Sequence, residues 1–217
     1  MAASIDLDAT RERLIEASGI VFAEKGFNGA TVREICLKAG ANVAAINYHF
    51  RDKMGLYIEV LRRSMKLAHE ETIDPSGMEP EAVLTAVIHG MVRRMHRARE
   101  GAAWHVRIMA HELAQPTAAL DRVVEEVIGP RYEMLRTIVS RVTGLPLEHE
   151  STRMCVLSVI GQIVHYAHGW PVISRVCPTM IFDPDLIASH ITTFSIGAMR
   201  SIAANADKHQ TPQLSPL

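Results

Sequence analysis

Asn42, Val43, Ala44, Ala45, Asn47, Tyr48, His49 and Phe50 follow one another almost without a break, and together they suit contact with DNA rather than covalent chemistry. The methyl-bearing Val43, Ala44 and Ala45 suit thymine methyl groups, and the Asn47 amide suits a base edge or a phosphate. Just upstream, Thr31 and Arg33 open another helical stretch, where free N–H groups already favour phosphate. Residues 31–50 read as two short helices joined by Ala39-Gly40-Ala41, the build of a helix-turn-helix whose second helix enters the major groove.

Local signals place these residues on defined elements. A first helix starts near Asp8 to Thr10, carries Leu14, Ala17, Val21 and Phe22 at helical spacing, and stops at Gly26. Thr31 and Glu34 fit a capping box, with Val32, Ile35, Cys36 and Ala39 facing inward. Gly40 permits the turn and Asn42 caps the next helix. There Ile46 and Phe50 point to the core, leaving Val43, Ala44, Asn47 and Tyr48 outside. Asp52 begins a longer helix through Leu56, Val60 and Leu67 to about Glu71.

The 217 residues carry a formal net charge of −1, so no basic signature marks the whole molecule. From Asn28 to Lys66, however, seven cations oppose three acids, a local +4. A locally basic face is what phosphate binding requires. With 48% hydrophobic residues, only 5% aromatics and 11 Met, aliphatic helical packing is favoured over an aromatic-rich sandwich. Three cysteines without a Cys-x-x-Cys spacing argue against a disulfide framework or a zinc site and for a reduced, cytoplasmic setting. Acids near the N-terminus oppose a signal peptide, and no apolar run is long enough to span a bilayer.

Beyond a break at Asp74-Pro75-Ser76-Gly77 the pattern remains helical, with helices expected near 79–98, 102–115, 117–143, 148–168 and 185–204. Gly129-Pro130 should kink the third of these, and Gly169-Trp170-Pro171 should end the fourth. The last two are apolar or small nearly all round. In the final one Ile187, Ile191, Phe194, Ala198 and Ile202 form one face, with Gly197 and Ser201 on another. Helices without a polar face are buried on two sides; a second copy of the chain is the expected second side, with one compact monomeric bundle as the alternative. The expected organisation is all-α: a head over 1–55, a helical ligand-binding and dimerisation bundle over 56–206, and a tail over 207–217.

The ordered series Ala23-Glu24-Lys25-Gly26-Phe27, Thr31-Val32-Arg33-Glu34-Ile35, Ala39-Gly40 and Asn47-Tyr48-His49-Phe50, followed by Lys53 and Leu56, resembles the TetR family of bacterial transcriptional regulators. Downstream, His111 to Thr117 and Val127 to Arg131 resemble the C-terminal domain of the CecR-like subgroup. The resemblance implies an all-α homodimer formed through the last two long helices and bound to a pseudo-palindromic DNA operator. It implies that Tyr48, His49 and Lys53 contact phosphates. It also implies a repressor released by a small-molecule effector, with no cofactor and no catalytic residues. Two positions depart from the family pattern: Asn47 replaces a common Tyr, and Gly55 stands where an acid often caps the fourth helix, which should weaken that helix.

Flexible Met with a few aromatic and polar groups suits an apolar effector pocket. Trp104, His105, Met109, Tyr132, His165 and Tyr166 are the residues selected for it. The 11 His residues keep a helical metal-binding enzyme or metal sensor as the alternative, through His165-x-x-His168 or through His105, His111 and Glu112. No Glu-x-x-His or His-Glu-x-x-His occurs to support it. Cys155, or Cys177 beside Arg175, keeps a redox sensor open.

Overall fold

The computed structural model describes residues 2–66, 77–100 and 104–206, and among these every regular element is a helix. In chain order they are α1 (Ala2–Gly29), α2 (Val32–Ala39), α3 (Val43–Phe50), α4 (Lys53–Lys66), α5 (Pro80–Glu100), α6 (Trp104–Ala114), α7 (Ala119–Val123), a π-helical turn (Val124–Ile128), α8 (Gly129–Thr143), α9 (Glu150–Val176) and α10 (Pro184–Asn205). The break near Asp74 and the tail at 207–217 fall outside the described residues, apart from Gly77.

The chain forms two compact units. The first comprises Met1–Glu70 and Arg94–Pro130; the second comprises Glu71–Arg93 and Arg131–Leu217. Packing therefore divides the molecule differently from a linear cut at residue 55. α4, α6 and α7 share one hydrophobic cluster with the helix-turn-helix: Leu14, Phe22, Ile35, Ile46, Leu56, Tyr57, Leu61, Trp104, Ile108 and Val123 are all buried in it. Trp104 explains the attachment of α6. Its ring lies so flat on Gly19 of α1 that a Cβ there would sit 2.6 Å from it, and its indole N–H donates to Glu16 at 2.9 Å.

In the second unit, Leu84 and Ile88 of α5, Leu135 and Val139 of α8, Val156 and Ile163 of α9, and Ile187 and Ile191 of α10 are buried. Gln162 on α9 donates to the Ser195 hydroxyl on α10 at 3.1 Å, and Arg200 grips Glu81 of α5 with two bonds.

Three local expectations change. α1 begins at Ala2, ahead of Asp8; at Gly26 the backbone leaves helical geometry, φ 68°, ψ 177°, so the first helical run stops where expected and a short second run carries on to Gly29. That backbone region is open essentially to glycine alone. The disturbance expected at Gly129-Pro130 takes the form of the π turn: the Gly129 N–H reaches back to the Val124 carbonyl. Pro130 then occupies the first turn of α8, where a missing N–H costs little. α9 does not end at Gly169-Trp170-Pro171; it continues through Pro171 to Val176. An interior proline costs about 3 kcal/mol, and packing beyond it offsets that cost. Trp170 meets Phe182 edge-on at 4.9 Å, which ties the extension to the segment leading into α10.

Candidate DNA interface

The helix-turn-helix is held by caps that its sequence supplies. The Thr31 side chain accepts from the Glu34 N–H at 3.2 Å and starts α2. Only this half of the capping box is used for capping, because the Glu34 carboxylate instead takes the Lys25 ammonium at 2.6 Å. Gly40 closes α2 in the left-handed region, φ 60°. Its N–H reaches the Leu37 carbonyl while Ala41 reaches that of Cys36, the paired bonds of a Schellman turn. Asn42 then accepts from the Ala45 N–H at 2.9 Å and starts α3. This capping role employs the amide oxygen of a residue also selected for DNA.

Within α3, Ile46 and Phe50 are buried, so the opposite face must point out. Val43 is 48% and Tyr48 72% exposed; Ala44 and Asn47 are exposed beside them, while Ala45 and His49 are half-buried. Tyr48 and His49 meet edge-on at 4.9 Å, and the Arg11 guanidinium braces Phe50 from behind at 5.5 Å. The structure thus brings Val43, Ala44, Asn47 and Tyr48 onto one outward face. Thr31 and Arg33 are exposed on the neighbouring helix.

The turn from α3 to α4 is tightly built. Arg51 takes φ 73°, a left-handed conformation unusual for a residue with a side chain. Asp52 accepts from the Gly55 N–H at 2.8 Å and caps α4. A Cβ on Gly55 would overlap the Phe50 carbonyl oxygen, so glycine is required there. The expectation that Gly55 merely weakens the helix is corrected: the acid that caps is Asp52, and Gly55 makes room for the turn. Lys53 begins α4 with its ammonium 4.5 Å from the centre of the Phe27 ring. Partial burial lowers its pKa from the ordinary lysine value.

Tertiary pairing redistributes the local +4. Arg62 is bound by Glu59 and Glu126, and Arg63 by Glu12 at 3.0 Å. Arg33, Lys38 and Arg51 are exposed and make no ion pair among the described residues. The family resemblance gives Lys38 and Arg51 no role. Glu34 and Lys38 stand at the spacing of a helical ion pair; the capture of Glu34 by Lys25 is what releases Lys38. Leu37, 85% exposed, lies on the same side of α2 as Arg33 and also had no assigned role.

The residues selected for an effector are divided. Trp104, His105 and Met109 belong to the first unit, Tyr132, His165 and Tyr166 to the second. Trp104 is a core residue. His105 lies against it with ring centroids 3.5 Å apart, its Nδ1 buried without a partner and its pKa lowered by desolvation. Met109, Tyr132 and Tyr166 are half-buried and His165 is exposed.

For the metal alternative, no three His, Cys, Asp or Glu side chains among the described residues gather about one point. His111 Nε2 lies 3.1 Å from the Ala23 carbonyl, and Glu112 is bonded to Tyr57 and Thr117. For the redox alternative, burial pushes the Cys36 and Cys155 thiols up, while Cys177 is exposed.

A three-helix head with a capped recognition helix, joined to a helical second unit, defines a DNA-binding transcriptional regulator. Residues 14–60 match the family model for bacterial regulatory proteins of the tetR family. Residues 80–199 match the C-terminal domain of the HTH-type transcriptional dual regulator CecR. The chain belongs to the TetR family, in the group with a CecR-type C-terminal domain. It is 28% identical over 180 residues to the HTH-type transcriptional dual regulator CecR of Shigella flexneri, covering 77% of this chain and 80% of the relative. Two solved structures share the fold. The transcriptional regulator FadR from Bacillus subtilis in complex with stearoyl-CoA aligns at TM-score 0.60 and 17% identity, covering 85% of this chain and 97% of that one. HlyIIR, a hemolysin II transcriptional regulator, aligns at TM-score 0.58 and 20% identity, covering 87% and 97%. No described helix is long and apolar enough to cross a membrane.

Proposed function

We propose that this regulator is a ligand-responsive repressor that holds a pseudo-palindromic operator as a homodimer and releases it when a small molecule binds. The observation that carries the reading is the outward face of α3, with Val43, Ala44, Asn47 and Tyr48 exposed over buried Ile46 and Phe50. Val43 and Ala44 read base methyls, and Asn47 reads a base edge. Thr31, Arg33, Tyr48, His49 and Lys53, with Lys38 and Arg51 added, hold phosphates. Ala45, half-buried, seats the start of the helix.

Two copies are supported by the uncharged faces of the last helices. No Asp, Glu, Lys or Arg occurs over residues 154–174 of α9 or 186–199 of α10. Met154, Leu157 and Phe194 are nevertheless more than half exposed. A shallow apolar cavity of about 250 Å³ lies between these helices, lined by Met154, Ser158, Phe194 and Ala198 among others. A second copy of the same pair would cover it.

Selection of duplexes from a random-sequence pool by the purified protein tests the reading. Enrichment of an inverted repeat, and lowered transcription from a promoter overlapping it, is the expected result. Failure to enrich any duplex, or enrichment of a lone half-site, overturns it. An inducer must bind free protein far more tightly than the DNA complex, by about 10⁴-fold for complete switching.

A further inference from the structure

Glu112 is a carboxylate that is only 1% exposed, and among the described residues its hydrogen-bond partners are all neutral. The Tyr57 hydroxyl donates to Oε1 at 2.7 Å and the Thr117 hydroxyl donates to the same oxygen at 2.9 Å. The Thr117 N–H donates to Oε2 at 3.1 Å. A charge removed from water without a cation is costly, and an apolar side chain would fill the same space at less cost. What the carboxylate adds is direction: it accepts three bonds in fixed places and so joins α6 to α4 and to the segment before α7. Tyr57 is committed in turn. Burial and the bond to Glu112 push its hydroxyl above the ordinary phenol range, so it stays a donor.

The Tyr57 ring continues the line. It packs at 4.7 Å edge-on to Phe22 and at 4.9 Å against Phe27, whose ring carries the Lys53 ammonium. Contacts therefore run from Glu112 on α6 through Tyr57 and Phe27 to the residue that opens α4, immediately after the recognition helix. We propose that Glu112 is a positioning residue for the DNA-binding head, holding Tyr57 and, through Phe27, the phosphate-binding ammonium of Lys53. The part of this that concerns DNA rests on the operator reading above.

Tyr57→Phe in the full chain tests it, because the ring and its packing remain while the bond to Glu112 is lost. Nuclear magnetic resonance of the free protein reads the Lys53 ε-methylene protons, which the Phe27 ring shifts upfield. In the variant they move towards the values of an unstructured lysine, and α3 amides exchange about three- to tenfold faster. A merely structural bond would lower the melting temperature and leave the Lys53 resonances in place, and that result overturns the proposal. Glu112→Gln is the second variant. It keeps an oxygen for Tyr57 but sets an NH₂ against a Thr117 donor, so Lys53 shifts less than in Tyr57→Phe; a larger shift overturns the assignment. On a duplex enriched by the parent protein, Tyr57→Phe loses about three- to tenfold in affinity, and affinity within twofold of the parent also counts against it. If the parent enriches no duplex, the operator reading fails, while the resonances of free protein still decide the role of Glu112.

Discussion

Single side chains in the head carry roles that can be separated by measurement. With Lys53 on a phosphate as proposed, Lys53→Ala should weaken binding about equally on all sequences and lower the slope of log affinity against log salt by about 1. A salt titration that keeps its slope would show that Lys53 does not touch the backbone. Gly55→Ala drives a methyl into the Phe50 carbonyl, and overpacking of this kind costs about 1–3 kcal/mol. Urea unfolding of the variant reads that loss. At His105 and His168 desolvation lowers the folded-state pKa, so the unfolded chain binds protons more readily. Their contribution to stability is therefore complete above the ordinary histidine value of about 6.5 and is lost as pH falls through the lowered folded value. Melting temperature should decline as the solution is acidified below about pH 6.5, and His105→Gln should flatten part of that decline. Lys53, Tyr48 and His49 were legible as a motif. Gly55 was misread, because a carbonyl aimed at a missing Cβ leaves no trace in residue types.

Elements followed local chemistry wherever a cap or a breaker acts alone. Thr31, Gly40 and Asn42 end or begin helices as their side chains and φ preferences dictate. Asn42→Ala should cost about 1 kcal/mol, read by thermal unfolding, and should loosen the first turn of α3. Pro171 shows the limit of this reasoning. It signals a stop, yet α9 passes through it because Trp170 and Phe182 pack beyond. Relief of the missing N–H predicts that Pro171→Ala raises the melting temperature; a lower one would mean that the proline geometry itself seats Trp170. Gly129-Pro130 is similar: residue types foretell a disruption but not its form, a π turn whose Glu126 takes Arg62 of α4.

At the scale of the whole molecule the uncharged exposed strips on α9 and α10 predict self-association. Phe194→Glu should convert the protein to monomers by sedimentation, and should weaken operator binding because each head then binds alone; a dimer that survives would move the interface elsewhere. The six side chains chosen for an effector were grouped by residue type alone, and the fold places three in each unit. Composition, helical periodicity and the ordered motif were enough to determine an all-helical regulator with its reading head near the N-terminus, since those signals act between residues close in the chain. The division into units, the assignment of Trp104 to the core, the pairing of Arg62 with Glu126 and of Arg63 with Glu12, and the burial of Glu112 against Tyr57 were decided only by tertiary structure. Each joins residues dozens of positions apart, and no local pattern records which distant partner a side chain will meet.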